Sequence, residues 1–267
     1  MSKYYFLIET NEDDRFPAVE PCFSTIEAVR RHNWYHNTNN YKLIKSLSDV
    51  PNGVSSCDIV PVGSLKFYQE ITNTKLTPPR MDNNFKYWNY SINGKFINRD
   101  QMFKDSNKLN SYQEGDVFVK RADHYKSWTG ISSKIHLPSI YPVSCILENW
   151  DNELLTFSEI LDIQNEYRIF LLGDRIVDIR QYIGNPDIVI DMSKLNDIKD
   201  EIMNSPCFKD EKLDYIGWSF DIGTIADDIV FLEYHPMISL GFYGADFKEI
   251  PLGLIRAHLV QVNKFAF

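Results

Sequence analysis

WSFDIGTIADDIVFLEYHP, residues 218–236, is a pair of β-rich arms joined by the polar Ala226-Asp227-Asp228, and its register decides what the chain can bind. With those three residues as the turn, Ile225 faces Ile229, and Asp221 lies directly opposite Glu233 with Cβ atoms roughly 5 Å apart. His235 follows Glu233 on the same face, two residues along the strand. Two carboxylates so placed repel unless a cation lies between them. Carboxylate oxygens are the donors Mg2+ prefers, usually shared with substrate phosphates. The bland alternatives are a register slipped by one residue, or a solvated hairpin edge on which the acidic pair is tolerated. His235 by itself reads more readily as a hydrogen-bonded structural histidine than as a ligand.

Working outward, EYRIFLLGDRIVDIRQY (166–182) forms a second hairpin about Gly173-Asp174, a good two-residue turn. That turn predicts Gln181 opposite Glu166. It also puts Glu166 and Arg168 on one face, as alternate residues, and turns Arg180 to the other. Glu-x-Arg is either an ordinary surface pair or an arginine aimed at an anionic substrate. Further upstream, DVFVKRADHYKSWTG (116–130) runs three apolar residues into Lys120 and sets Lys126 ahead of Ser127-Trp128-Thr129-Gly130. A lysine at a strand end followed by a glycine-terminated loop suits phosphate, because ammonium and backbone N–H groups converge on the anion. The G-x-x-x-x-G-K-[ST] phosphate loop occurs nowhere in the chain.

The N-terminal third alternates. KYYFLIE (3–9) reads as a strand, STIEAVRRHNWYH (24–36) as a helix with Ser24 as N-cap, YKLIKSL (41–47) and CDIVPVG (57–63) as strands, and SLKFYQEI (64–71) as a helix. The alternation predicts a small open α/β unit. Polar TNTKLTPPRMDNN (72–84), with Pro78-Pro79, reads as a linker, which divides the chain into domains at 1–78 and 79–267. The later part is richer in strand signals, with one helix at MSKLNDIKDEIM (192–203).

Over 267 residues, 43% are hydrophobic and 24% charged, the composition of a globular protein large enough for a real core. A net charge of −9 disfavours sequence-independent nucleic-acid binding, since an acidic surface repels phosphate backbones. Cys22, Cys57, Cys145 and Cys207 form no C-x-x-C pair and read as free thiols of a reducing cytosol. With no signal segment or membrane-length apolar run, the expected location is the cytoplasm, or a host cytoplasm were the protein phage-encoded, the Asn/Asp/Ile/Lys/Tyr-rich composition suggesting the AT-rich genome of a phage or a low-GC bacterium.

Lysine pair, Glu-x-Arg and Asp…Glu, in this order, resemble the ATP-grasp superfamily, in particular the clade named for one arginine and two lysines. VFVK (117–120) resembles the strand whose lysine contacts nucleotide phosphates, and Lys126 with Ser127, Thr129 and Gly130 resembles the loop that closes over them. LLTFSEILDI (154–163) is similar to the hinge strand, where backbone groups at Ser158, Glu159, Ile160 and Leu161 would read adenine. EYRIFLLG (166–173) is similar to the clade's Glu-aromatic-Arg strand. DIG (221–223), EYH (233–235) and SLGFYG (239–244) resemble its metal hairpin and the loop beyond. One departure is His235, where such families usually carry Asn.

The resemblance implies an ATP-grasp fold, mixed α/β (α+β), behind an N-terminal α/β domain. It also implies an ATP-dependent ligase joining a carboxylate to an amine (or a thiol) through an acylphosphate. The acceptor would be a peptide, a protein or an amino acid. ATP and Mg2+ (or Mn2+) would be its cofactors, with Lys120, Lys126 and Glu166 on the nucleotide, Asp221, Glu233 and His235 on the metal, and Arg168 and Lys126 catalytic. Two rival readings stand beside it: a nucleotide-binding or protein-interaction module impaired by His235, and a ligase acting on nucleic acid.

Overall fold

The computed structural model describes residues 4–10, 21–45, 47–51, 53–54, 58–73, 102–105, 115–121, 131–135, 154–159, 162–204, 217–226, 228–238, 240–245 and 248–262. These fall into two compact units. The first gathers residues 1–76, 165–223 and 231–267, and the second 77–164 and 224–230.

The first unit opens with β1 (Tyr5–Glu9), α1 (Pro21–Tyr35), β2 (Tyr41–Ile44), β3 (Ile59–Val62) and α2 (Leu65–Thr72). The three strands form a parallel sheet of order β2-β1-β3. Helix α1 begins at Pro21, three residues ahead of the expected Ser24 cap, because proline's fixed φ suits a first helical position. Helix α2 has the expected start: the Ser64 hydroxyl accepts the Phe67 N–H at 3.2 Å. Ser64 in turn donates its own N–H and hydroxyl to the Glu9 carboxylate, at 2.6 and 3.1 Å.

The same unit holds β8 (Asn165–Leu172), β9 (Arg175–Ile183), α3 (Met192–Asn204), β10 (Gly217–Ile225), β11 (Asp228–Pro236) and α4 (Ile250–Gln261). The tip of the β10–β11 hairpin, 224–230, is counted with the second unit. The sheet order is β11-β10-β8-β9. Along β10, Trp218, Phe220 and Ile222 alternate with Ser219 and Asp221, all of them buried. The Trp218 indole donates to the Gly173 carbonyl at 2.7 Å, tying β10 to the β8–β9 turn. Helix α3 buries Leu195, Ile198 and Ile202, one stripe at helical spacing.

A single core joins the two ends of the chain. Phe6 and Ile8 of β1, Val60 and Val62 of β3, and Ala28 and Val29 of α1 cluster with Phe170, with Met237, Ile238, Leu240 and Phe242 after β11, and with Ile250, Leu254 and Ile255 of α4. Buried inside it, the Tyr68 hydroxyl lies 2.9 Å from His258 Nδ1, joining α2 to α4.

The second unit is an antiparallel sheet of order β4-β7-β5-β6, made of β4 (Met102–Asp105), β5 (Gly115–Arg121), β6 (Ile131–Ile135) and β7 (Leu154–Glu159). Among the described residues no helix is long and apolar enough to cross a membrane.

Gly217 of β10 is packed against the backbone of Gly253 in α4, with no room for a Cβ, whereas a Cβ on Gly253 would meet the Met237 sulfur. Backbone cannot yield as a thioether can. Gly217→Ala is therefore expected to cost about 1–3 kcal/mol in urea unfolding, and more than Gly253→Ala measured alongside it.

Candidate functional site

The acidic hairpin turns more tightly than the three residues expected, β10 ending at Ile225 and β11 starting at Asp228. Just past its open end, the Met237 N–H donates to the Gly217 carbonyl at 2.9 Å, the bond expected there of the register that sets Asp221 opposite Glu233. One carboxylate oxygen each of Asp221 and Glu233 and one nitrogen of His235 lie within 4.8 Å of one another. His235 Nε2 is 2.9 Å from Glu233 Oε1. Asp221 and His235 are 1% and 6% exposed, while the Glu233 side chain is 26% exposed. Two oxygen donors and one imidazole, converging and partly buried, fit a divalent cation.

Arg168 of β8 is the partner of Asp221. Its Nε donates to Oδ1 at 2.8 Å and its Nη2 to Oδ2 at 2.6 Å, a two-pronged pair buried on both sides, and Nη1 donates to the Gly241 carbonyl at 3.1 Å. Burial by itself would lower the Arg168 pKa. The hydrogen bonds and charge of Asp221, helped by Tyr243 and Glu233, outweigh it, so the guanidinium is held charged beyond its ordinary range.

Two tyrosines complete the arrangement. The rings of Tyr182 and Tyr243 stack at 4.6 Å, and the guanidinium carbon of Arg168 lies 5.8 and 5.3 Å from their centroids, in reach of cation–π attraction. The Tyr182 hydroxyl donates to Asp221 Oδ2 at 3.2 Å. Burial first, and then the nearby Asp221 and Glu166 carboxylates, push its pKa up, so it remains a donor. Tyr243 reaches its place at φ 47°, a left-handed conformation costing a non-glycine residue about 1–3 kcal/mol.

The first hairpin departs from its predicted register. Leu172 faces Arg175 and Leu171 faces Ile176, as a two-residue turn requires, but Phe170 then faces Asp178. The bulge there places Arg180 directly opposite Arg168, and a second bulge sets Ile183 opposite Glu166. Gln181 therefore faces Tyr167, not Glu166, and Arg180 shares the Arg168 face rather than leaving it, since one inserted residue inverts every side chain beyond it. Arg180 is 38% exposed and bonded through Nε and Nη2 to Asp178 Oδ2 at 2.9 and 2.8 Å.

Of the other expected site residues, Lys120 lies in β5 facing Thr156, and Ser158 and Glu159 lie in β7 facing Phe118 and Val117, all in the second unit. Lys126, Ser127, Thr129, Gly130, Ile160 and Leu161 lie outside the described residues, as does most of the 72–84 linker. Tyr182 and Tyr243 were not singled out from sequence. Tyr182's only signal was its alternation with Arg180 on one strand.

Arg168→Met would leave the Asp221 carboxylate buried without its cation. The expected loss is about 3–5 kcal/mol of unfolding free energy, partly restored by adding Asp221→Asn. Urea denaturation of the single and double variants checks both.

A family model for the ATP-grasp domain, family 2 of the clade named for one arginine and two lysines, matches residues 96–250, more than half of the chain. A search of curated proteins gives no match. Among solved structures, D-alanine–D-alanine ligase from Helicobacter pylori aligns at 13% identity and TM-score 0.52, covering 95% of this chain and 98% of that one. The corresponding ligase from Bacillus anthracis aligns at 9% and 0.50, covering 98% of each. The ATP-grasp ligase PsnB, solved with a precursor peptide and AMPPNP, aligns at 14% and 0.48, again over 98% of each. The fold is thus ATP-grasp, and the chain belongs to the ATP-grasp superfamily, in the second family of that arginine-and-two-lysine clade.

Proposed function

We propose that the protein is an ATP-dependent ligase that joins a carboxylate to an amine through an acylphosphate. The observation that carries this reading is the convergence of Asp221, Glu233 and His235 within 4.8 Å on one sheet face of a chain in this family. A substrate carboxylate oxygen attacks the γ-phosphorus, and the bond to the β–γ bridging oxygen breaks, releasing ADP. An amine then attacks the acyl carbon, phosphate leaves, the nitrogen loses a proton and an amide remains.

Asp221, Glu233 and His235 would hold a divalent cation, Mg2+ or Mn2+, whose bound charge offsets that of the phosphates. The chain's own residues bind and orient. We assign Lys120 and Lys126 to the phosphate oxygens, with Ser127, Thr129 and Gly130 closing over them to keep water from the acylphosphate. Backbone groups from Ser158, Glu159, Ile160 and Leu161 take adenine, and Glu166 takes the ribose hydroxyls or orients Arg168. Arg168 holds Asp221 in place. Of its five N–H groups, the two not committed to Asp221 and Gly241 are assigned to the phosphoryl group in transfer, with Arg180 as a second cation on the same face.

The acceptor is a peptide, a protein or an amino acid, and the cytoplasm, with its ATP and reduced thiols, is the assigned location. The charge of −9 weighs against a nucleic-acid substrate. A second reading is favoured by His235, a nitrogen where oxygen is usual: a module that binds nucleotide without ligating.

The test supplies ATP, Mg2+ or Mn2+, and panels of amino acids and peptides, with hydroxylamine to trap an acylphosphate as its hydroxamate. ADP release together with hydroxamate supports the ligase, while ATP binding without ADP from any panel supports the module. Lys120→Ala is expected to weaken ATP binding tenfold or more by calorimetry. Glu233→Gln is expected to keep ATP binding and lose roughly a hundredfold in turnover.

A further inference from the structure

We propose that the Asp221–Glu233–His235 site is built for Mn2+ in preference to Mg2+, and that His235 sets this preference. The inference rests on the ligase reading only in taking the cluster as the metal site.

Charge and donor type both point this way. Asp221 gives both oxygens to Arg168, and Oδ2 also accepts from Tyr182. A carboxylate so engaged is a poorer donor to a hard cation, and the Arg168 charge cancels one of the two negative charges in the cluster. Glu233, 26% exposed, is the more open of the two carboxylates. The third donor is an imidazole. His235 is only 6% exposed, and its Nε2 lies 2.9 Å from Glu233 Oε1, so nitrogen and oxygen are held side by side within the cluster.

Mg2+ asks for an octahedron of oxygens and gives up water reluctantly. Mn2+ accepts imidazole nitrogen beside carboxylate and phosphate oxygens, and stands on the affinity series that nitrogen donors raise. A site with one screened carboxylate, one more open carboxylate and a fixed imidazole discriminates against the ion that needs hard oxygens most. Zn2+, which favours four ligands, fits less well where the other positions are to be phosphate oxygens and water.

The experiment uses the full chain, grown with 15N-histidine, with Mn2+ and the β,γ-methylene analogue of ATP. Pulsed electron paramagnetic resonance should show a directly bonded 15N, distinguished by its isotope from adenine nitrogen. His235→Asn should abolish that coupling and weaken Mn2+ binding tenfold or more, while Mg2+, measured by displacing Mn2+, binds as before or more tightly. His235→Gln serves if the asparagine variant fails to fold, and the coupling is in any case read on the unaltered histidine. Bound Mn2+ that depends on Glu233 but shows no 15N coupling would overturn the preference and leave the ligase reading standing. Mn2+ binding indifferent to both Glu233→Gln and His235→Asn would overturn both.

Discussion

The buried pair between Arg168 and Asp221 is the constraint around which the acidic face is organised. It joins the two central strands, β8 and β10, and reaches by a third bond to the Gly241 carbonyl in the segment after β11. Two carboxylates opposed across a hairpin would repel if both stood alone. With Asp221 matched to a guanidinium, the cluster carries one net negative charge rather than two, and the protein can hold it together before any cation arrives. Such a pair is costly to desolvate and serves arrangement more than stability. Here what it arranges is the direction in which Asp221 points.

The tyrosines extend that arrangement outward. Tyr182 and Tyr243 stack on each other with the guanidinium within reach of both rings, so the cation is enclosed by π-faces as well as by its hydrogen bonds. The strain accepted at Tyr243 is confined to one residue, and Gly244, at φ 72°, takes the next positive angle without penalty. Across the sheet, Glu233, Asp221, Arg168 and Arg180 form a row in strand order from acid to base.

Much of this was legible in the chain. The acidic hairpin could be read because its turn is short and polar and its arms strongly β-forming, although the turn is one residue tighter than expected. Lys120 could be placed at the end of a strand for the same reason, three apolar residues running into a charge. The β8–β9 hairpin could not be read as well. Its turn was right and its first pairs correct, yet Val177 and Tyr182 are ordinary strand residues and nothing about them announces a bulge. One unannounced residue reversed the face assigned to Arg180. Ser24 misled because a serine before a helical pattern is a strong cap signal, while the proline three residues earlier was the better start. The partner of Asp221 was hidden because sequence pairs neighbours along a hairpin, and Arg168 reaches it from a different one.

The shared core of the N-terminal sheet and helix α4 bears on how the molecule is made. A ribosome delivers β1, β2 and β3 well before the α4 residues that pack on them, an interval of roughly 10–40 s at ordinary elongation rates. During that interval Phe6, Val60 and Val62 lack the part of their cover that α4 supplies. Completion of the β2-β1-β3 sheet is thereby coupled to the arrival of α4, so this core closes by long-range contacts rather than by local ones alone.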